Sequence, residues 1–231
     1  QTEDASAETD EATDTEETEE TADTDVSDEN TLIVGTFNID AKSAPDVAAQ
    51  SKLMADNNVE VVGIQEVDNN TIRNPRNMLE EFMIDPYIDS YYTNAIGFQG
   101  GEYGIGTVSQ YKLIDTSETK LFSDEFKGKE LADELAKAYM NNDPDDQASC
   151  DALDAVSEKG PVEPRYYQRV VFEKDGKQVA FYNTHLSYED LSLRAQQLET
   201  LKEALDNDTC EYLILVGDFN ADQGTNEFDV F

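Results

Sequence analysis

Four segments of this chain share one form, an apolar run that ends in polar side chains, and that repetition limits the possible folds more than any other feature. They run from Leu32 to Asp40, Val59 to Val67, Val179 to Ser187 and Tyr212 to Asn220. Each reads as a strand that is buried along its length and delivers chemistry at its carboxyl end. Residues two apart on a strand point to one face, so Asp218 and Asn220 are expected to project into one site, as are Asn38 and Asp40.

Between the first two strands a helix is expected, with Ser43 as its N-cap, Pro45 in its first turn, and Val47, Ala48, Ser51, Leu53 and Met54 leading to Asn57 and Asn58. Strand, helix, strand with polar groups at the strand ends is an α/β signature. Further on, Asn77 to Met83 reads as a helix and Tyr87 to Ile96 as a strand. Gly100-Gly101 then turns the chain into the glycine-rich stretch from Tyr103 to Ser109, which lacks the lysine and helix start of a phosphate loop and reads as a hairpin. Asp175-Gly176 between two β-rich runs predicts a second hairpin feeding the His185 strand. Ser187 with Asp190 has the spacing of a capping box, and Leu191, Ala195, Leu198, Leu201 and Leu205 make a helical stripe. The polar stretch at about 121–161 reads as two helices, near Lys129 to Met140 and Gln147 to Glu158.

Charge divides the chain. The first 30 residues hold fourteen Asp or Glu, seven Thr and no Lys or Arg, a composition expected to stay disordered as an acidic tether. Residues 31–231 suit one domain with a full core. There, too, acidic residues outnumber basic ones 38 to 16, within a net charge of −36 for all 231 residues. Such a surface repels polyanions and attracts divalent cations, so duplex nucleic acid is a disfavoured partner. No apolar stretch reaches the roughly 20 residues needed to span a bilayer. The chain begins at Gln1, and its acidic Thr-rich leader resembles the spacer of a bacterial surface lipoprotein. An extracellular or cell-surface location, with a lipid tether upstream, is expected, against a cytosolic protein with an acidic tail. Cys150 and Cys210 fit either one disulfide or two separate thiols.

In order, the four strand ends read FNID, QEV, NTHLS and GDFNA. This series resembles the endonuclease/exonuclease/phosphatase superfamily, metal-dependent phosphoesterases that include pancreatic-type deoxyribonuclease, neutral sphingomyelinases and inositol-polyphosphate phosphatases. The likeness covers about residues 31 to 224, and beside compact members of the family the stretch at about 121–161 is longer, which implies an insertion placed to shape substrate choice. The resemblance implies a four-layer αββα sandwich and a phosphoester hydrolase using Mg²⁺ or Mn²⁺; a monomer is expected. Glu66 is then the first metal ligand, with Asn38 beside it as oxygen donor or orienter, and Asp40 at the carboxylate position of the abasic-site endonuclease branch. Asp218 would orient or deprotonate the attacking water, Asn220 would hydrogen-bond the phosphate or that water, and His185 would donate to a phosphoryl oxygen or act as general acid. Asn183, two residues before His185, is placed to orient it. Arg165 and Arg169 are open between phosphate contact and scaffold, and Arg194 fits the scaffold better.

The family closes with a later Asp-His pair, whereas this chain carries His185 alone. Three explanations stand: a shortened gene product, the most economical, which would place the last sandwich strands beyond Phe231; a second chain that completes the fold; or a member that binds without turnover. Weak hydrolysis by the 231-residue chain is the corresponding expectation. The functional expectation is a metal-dependent phosphodiesterase or phosphatase for a small or lipid-borne phosphoester. The alternatives are a secreted nuclease and a catalytically incomplete metal- or phosphate-binding surface module.

Overall fold

The computed structural model describes residues 31–123, 137–157, 163–189, 191–222 and 224–231. The acidic leader, most of the first helix expected within the insertion, and Asp190 lie outside the described residues. Among the described residues, eight strands form two four-stranded sheets. The first contains β1 (Val34–Asn38), β2 (Val61–Asn69), β3 (Asp89–Phe98) and β4 (Gly101–Ser109), in the order β1-β2-β4-β3. The second contains β5 (Asp115–Lys120), β6 (Tyr166–Lys174), β7 (Lys177–His185) and β8 (Tyr212–Asp218), in sequence order. β1 and β2 are parallel, and so are β7 and β8; the remaining pairs are antiparallel. Among the described residues, helices α1 (Val47–Asp56), α2 (Met78–Phe82), α3 (Gln147–Ser157) and α4 (Leu191–Asn207) and two short 3₁₀ turns accompany the sheets, and 137–141, at the end of the helix expected near Lys129 to Met140, is helical as well.

The alternation of side chains along each strand explains the layers. On β2, Val62 and Ile64 pack with Val47, Met78, Leu79 and Phe82 against the helical layer, while Val61 faces the other sheet. On β7, Ala180 and Tyr182 pack with Leu198 and Leu201 of α4, while Val179 and Phe181 meet Val61. Three apolar seams therefore separate four layers, and the expected αββα sandwich is the fold observed. Gly63 allows the sheets to approach, since a Cβ there would lie 2.7 Å from Val216 and 2.8 Å from Asn183.

Local signals held where no distant contact competed. Asp175 and Gly176, with φ of 53° and 77°, form the two-residue turn between β6 and β7. The β3–β4 turn falls on Gln99-Gly100, one residue earlier than expected, because Gly101 already pairs with Phe98. The start of α1 moves as well. The Ser43 hydroxyl is taken by the Asp40 carbonyl at 2.9 Å in a 3₁₀ turn, and the Asp46 carboxylate caps α1 through Ala49 N–H at 3.0 Å. Nor is Ser187 the cap of α4: its N–H donates to Gln197 Oε1 at 3.0 Å and its hydroxyl accepts from Gln197 Nε2 at 2.9 Å. β5, too polar to read as a strand, pairs along β6 with every residue exposed. Cys150 and Cys210 are free thiols. Cys210 instead accepts from the Arg169 guanidinium at 3.4 Å.

Candidate active site

β1 and β8 belong to different sheets, yet both end on the inner side of the sandwich. Val34 of β1 and Ile214 and Val216 of β8 share the inter-sheet seam, so Asn38 and Asp218, an even number of residues further on, face the same space. There the Asn38 Nδ2 donates to Asp218 Oδ2 at 2.8 Å, joining residues 180 apart in sequence, and to Glu66 Oε1 at 3.1 Å. Asn38 Oδ1 accepts from Asp40 N–H at 3.0 Å, so its amide hydrogens, not its oxygen, face the carboxylates. Asn38 is thus arranged as an orienter.

Glu66 reaches the site through a bulge. The β2–β4 register shifts between Ile64 and Val67, and Glu66 has a left-handed φ of 62°. Held inside a strand, a non-glycine residue in this region stores strain and re-aims its side chain. Among the described residues Glu66 makes no ion pair, and no group of three His, Cys, Asp or Glu is placed to hold a metal. A half-buried carboxylate with one oxygen on an amide N–H fits a hard cation, which binds through one or two carboxylates and keeps several waters.

The parallel pairing of β7 and β8 sets His185 opposite Asp218, with Nε2 at 3.8 Å from Oδ2. Gly217 makes this register possible: its φ is +154°, and a Cβ would sit 2.3 Å from the Thr184 carbonyl oxygen. Burial, followed by the nearby Arg165 charge, lowers the His185 pKa from 6.5 to about 4, although Asp218 pulls the other way. The imidazole is therefore neutral at neutral pH.

A buried amide network lies beneath these groups. Gln65 Nε2 donates to Asn183 Oδ1 at 2.7 Å, while Asn183 Nδ2 donates to the Gly106 carbonyl at 2.8 Å. Gln168 accepts from the Thr107 hydroxyl at 2.8 Å and donates to Thr93 Oγ1 at 3.1 Å. Satisfied polar networks of this kind fix a single arrangement of the two sheets. Asn183 thereby supports the His185 strand without touching the imidazole.

Two expected site residues sit differently from the strand-face reading. Asp40 and Asn220 follow the last residues of β1 and β8, with left-handed φ of 49° and 48°, so two-residue alternation has already ended. Asp40 is exposed, and among the described residues its carboxylate accepts no hydrogen bond. The Asn220 Nδ2 donates to the Leu186 carbonyl at 2.9 Å and its N–H to Asp218 Oδ1 at 3.0 Å, clamping β7 to β8 and aiming the Asp218 carboxylate. Asn220 still lines, with Asn38, Gln65 and Asp218, a pocket of about 570 Å³.

Arg73, Tyr103 and Glu163, which the motifs do not include, lie near Glu66. Arg73 holds buried Asp68 by a two-nitrogen fork at 2.7 and 3.0 Å and lies over the Phe98 and Tyr103 rings at 4.6 and 5.4 Å. Burial and the Glu66 charge raise the Tyr103 pKa far above its usual value, keeping the phenol protonated. Glu163 and Arg165, at the entrance to β6, pair at 2.7 Å. β6 pairs antiparallel with β7, Tyr167 opposite Thr184, and that pairing is the one sequence signal that could have carried Arg165 to His185.

The sequence matches the model of the Endonuclease/Exonuclease/phosphatase family over residues 35–231. No curated protein matches it significantly. Among solved structures, the mannosyl-6-phosphatase of Bacteroides thetaiotaomicron superposes with a TM-score of 0.56 at 16% identity, covering 87% of this chain and 70% of that one. Beta toxin from Staphylococcus aureus, solved with bound magnesium ions, gives 0.56 at 15%, covering 87% and 69%. D. rerio TDP2 complexed with a single-strand DNA product gives 0.54 at 14%, covering 86% and 64%. With a family model matched along nearly all of the folded body and the same architecture in these structures, the chain belongs to the endonuclease/exonuclease/phosphatase family.

Proposed function

We propose that this protein is a divalent-metal-dependent phosphoester hydrolase acting on a small or lipid-borne phosphoester. The observation that carries the reading is the Asn38 amide bridging Glu66 and Asp218 across the two sheets, with His185 3.8 Å from Asp218. Hydrolysis needs charge at the phosphoryl oxygens, an aligned water, and help for the leaving oxygen. A Mg²⁺ or Mn²⁺ ion held at Glu66 would supply charge for the phosphoryl oxygens and the leaving alkoxide.

The remaining tasks fall to this chain's own groups. Asp218 is fixed at both oxygens, by Asn38 Nδ2 and by Asn220 N–H, and still has a 29% exposed side chain. A carboxylate so aimed and open to solvent suits the positioning and deprotonation of a water. His185, neutral because of its burial, suits the donation of an N–H to a phosphoryl oxygen rather than the work of an imidazolium acid at neutral pH. Asn220 holds the β7–β8 corner on which both depend.

The acidic body favours a compact or membrane-borne substrate over duplex nucleic acid. Among the described residues no helix is long and apolar enough to cross a membrane. An extracellular or cell-surface setting fits the acidic leader. The test is hydrolysis of p-nitrophenyl phosphate and bis-p-nitrophenyl phosphate by the full-length protein, with Mg²⁺ and with chelator. Chelator should abolish turnover, and Asp218→Asn should lower it by about 10² to 10⁴-fold. Turnover unchanged in that variant would remove the assignment.

A further inference from the structure

Besides Arg73 and Arg76, which hold Asp68 and Glu81, three arginines pair with carboxylates, and two of these three are saturated. Arg169 binds Asp208 through Nε and Nη2 at 2.6 and 3.0 Å and Asp115 through Nη1 at 2.8 Å. Arg194 binds Glu227 at 2.7 Å and the Ser187 and Tyr188 carbonyls at 3.4 and 3.2 Å. Arg165 differs. Its side chain is 4% exposed, its Nη2 holds Glu163 at 2.7 Å, and its buried Nε has no hydrogen-bond partner among the described residues. An ionised group this deeply buried with a donor unused is costly, and the donor is met either by a water or by an acceptor that arrives from outside.

Its surroundings suggest which acceptor. Arg165 and His185 line the same crevice, together with Tyr103 and Tyr166. The free space there is about 10 Å³, room for roughly one water. Glu163, at 32% exposure, is the member of the ion pair with a route to solvent. It also uses only half of the guanidinium fork, whereas the oxygens of a phosphoryl group can accept from two nitrogens at once.

On the phosphoesterase reading, we propose that Arg165 is a further phosphoryl-binding residue of this site and that Glu163 is the resident counter-ion the phosphoryl group displaces. One anion exchanges for another on a buried cation, so the guanidinium is compensated before and after binding. Glu163 then sets affinity by competition, and the backbone of Arg165, which accepts from Leu121 N–H at 2.8 Å, keeps the fork in place during the exchange.

The test is titration of the full-length protein with inorganic phosphate, following the NMR signal of its single imidazole, His185. Glu163→Gln, which removes the competing charge at nearly constant size, should tighten phosphate binding at least threefold and lower KM with kcat little changed. Arg165→Lys keeps the charge but loses the fork, and should weaken binding by about 10-fold or more, as expected for a charge-assisted hydrogen bond. If Arg165→Lys does not fold, the Glu163→Gln result decides. Equal phosphate affinity in the parent and Glu163→Gln overturns the proposal, whatever the Asp218→Asn comparison shows for hydrolysis. Unchanged turnover in Asp218→Asn removes the phosphoesterase reading separately.

Discussion

His185 gives the most direct measurement of whether the site is as dry as its packing indicates. It is the only histidine in the chain and is 7% exposed, with burial as the chief cause of a pKa lowered from 6.5 to about 4. In the unfolded chain the imidazole takes its proton near pH 6.5, while in the native protein it stays neutral to about pH 4. Between those values the unfolded state binds the extra proton, so stability falls as pH falls, and the full contribution is present only above about 6.5. At about 1.36 kcal/mol per pH decade the interval corresponds to about 3 kcal/mol, of which about 2 kcal/mol is lost by pH 5. The perturbation is His185→Gln, and the assay is urea unfolding of parent and variant from pH 7.5 to 4.5. Paired carboxylates such as Asp208 and Glu227 weaken both proteins alike on acidification, so the difference between the two isolates the imidazole. The parent should lose about 2 kcal/mol more than the variant by pH 5, and the imidazole NMR signal should titrate well below pH 6. A native midpoint at or above 6.5 would refute the reasoning, because it would mean that water or Asp218 offsets the burial.

Three further outcomes follow from single contacts. Mg²⁺ at a hundredfold excess over its dissociation constant should stabilise the parent by about 2.7 kcal/mol and leave Glu66→Gln unaffected; an equal rise in Tm in both would show that Glu66 is not the ligand. Asp208→Ala should cost about 3 to 5 kcal/mol in denaturant unfolding, because this 1% exposed carboxylate receives the Arg169 fork and the Tyr182 hydroxyl at 2.6 Å; a cost under about 1 kcal/mol would show that the network is solvated. Gly217→Ala should cost about 1 to 3 kcal/mol and shift the His185 NMR signal, since its methyl group meets the Thr184 carbonyl at 2.3 Å; an unshifted signal would show that the His185–Asp218 register does not depend on it.

Apolar runs, turn residues and the helical stripe were legible because each is decided within about ten neighbouring residues. The four strands, the Asp175-Gly176 hairpin and the Leu198, Leu201 and Leu205 part of the α4 stripe are of this kind; Leu191 and Ala195 of that stripe are exposed, and Leu193 and Gln197 are buried instead. What stayed hidden depends on partners far along the chain. Glu66 enters the site only because β4 pairs with β2 one residue out of step, and a bulge cannot be read from one strand alone. Asp40 and Asn220 lie past the ends of β1 and β8 in left-handed backbone, where the alternation no longer applies, although Asn220 still lines the pocket with Asp218. Ser43 and Ser187 have good capping chemistry, but the Asp40 carbonyl and the Gln197 amide take it up. Arg165 looked no different from Arg169 until burial and partners separated them.

The same topology links the site to the cooperativity of the fold. Each sheet contributes one parallel pair, β1 with β2 and β7 with β8, and each pair ends at the same edge of the sandwich. Asn38 and Glu66 come from one sheet, His185 and Asp218 from the other, so neither sheet carries the site alone. Their alignment depends on the inter-sheet seam around Val61 and Phe181, and on Gln65, Asn183 and Gln168 meeting in one register. A slip of one residue would turn all of these amides into the helical layers, where no partners await them. The energetic penalty for mispairing the sheets therefore falls on residues adjacent to the site. Any change that loosens the amide network should misalign Asp218 before it unfolds the protein.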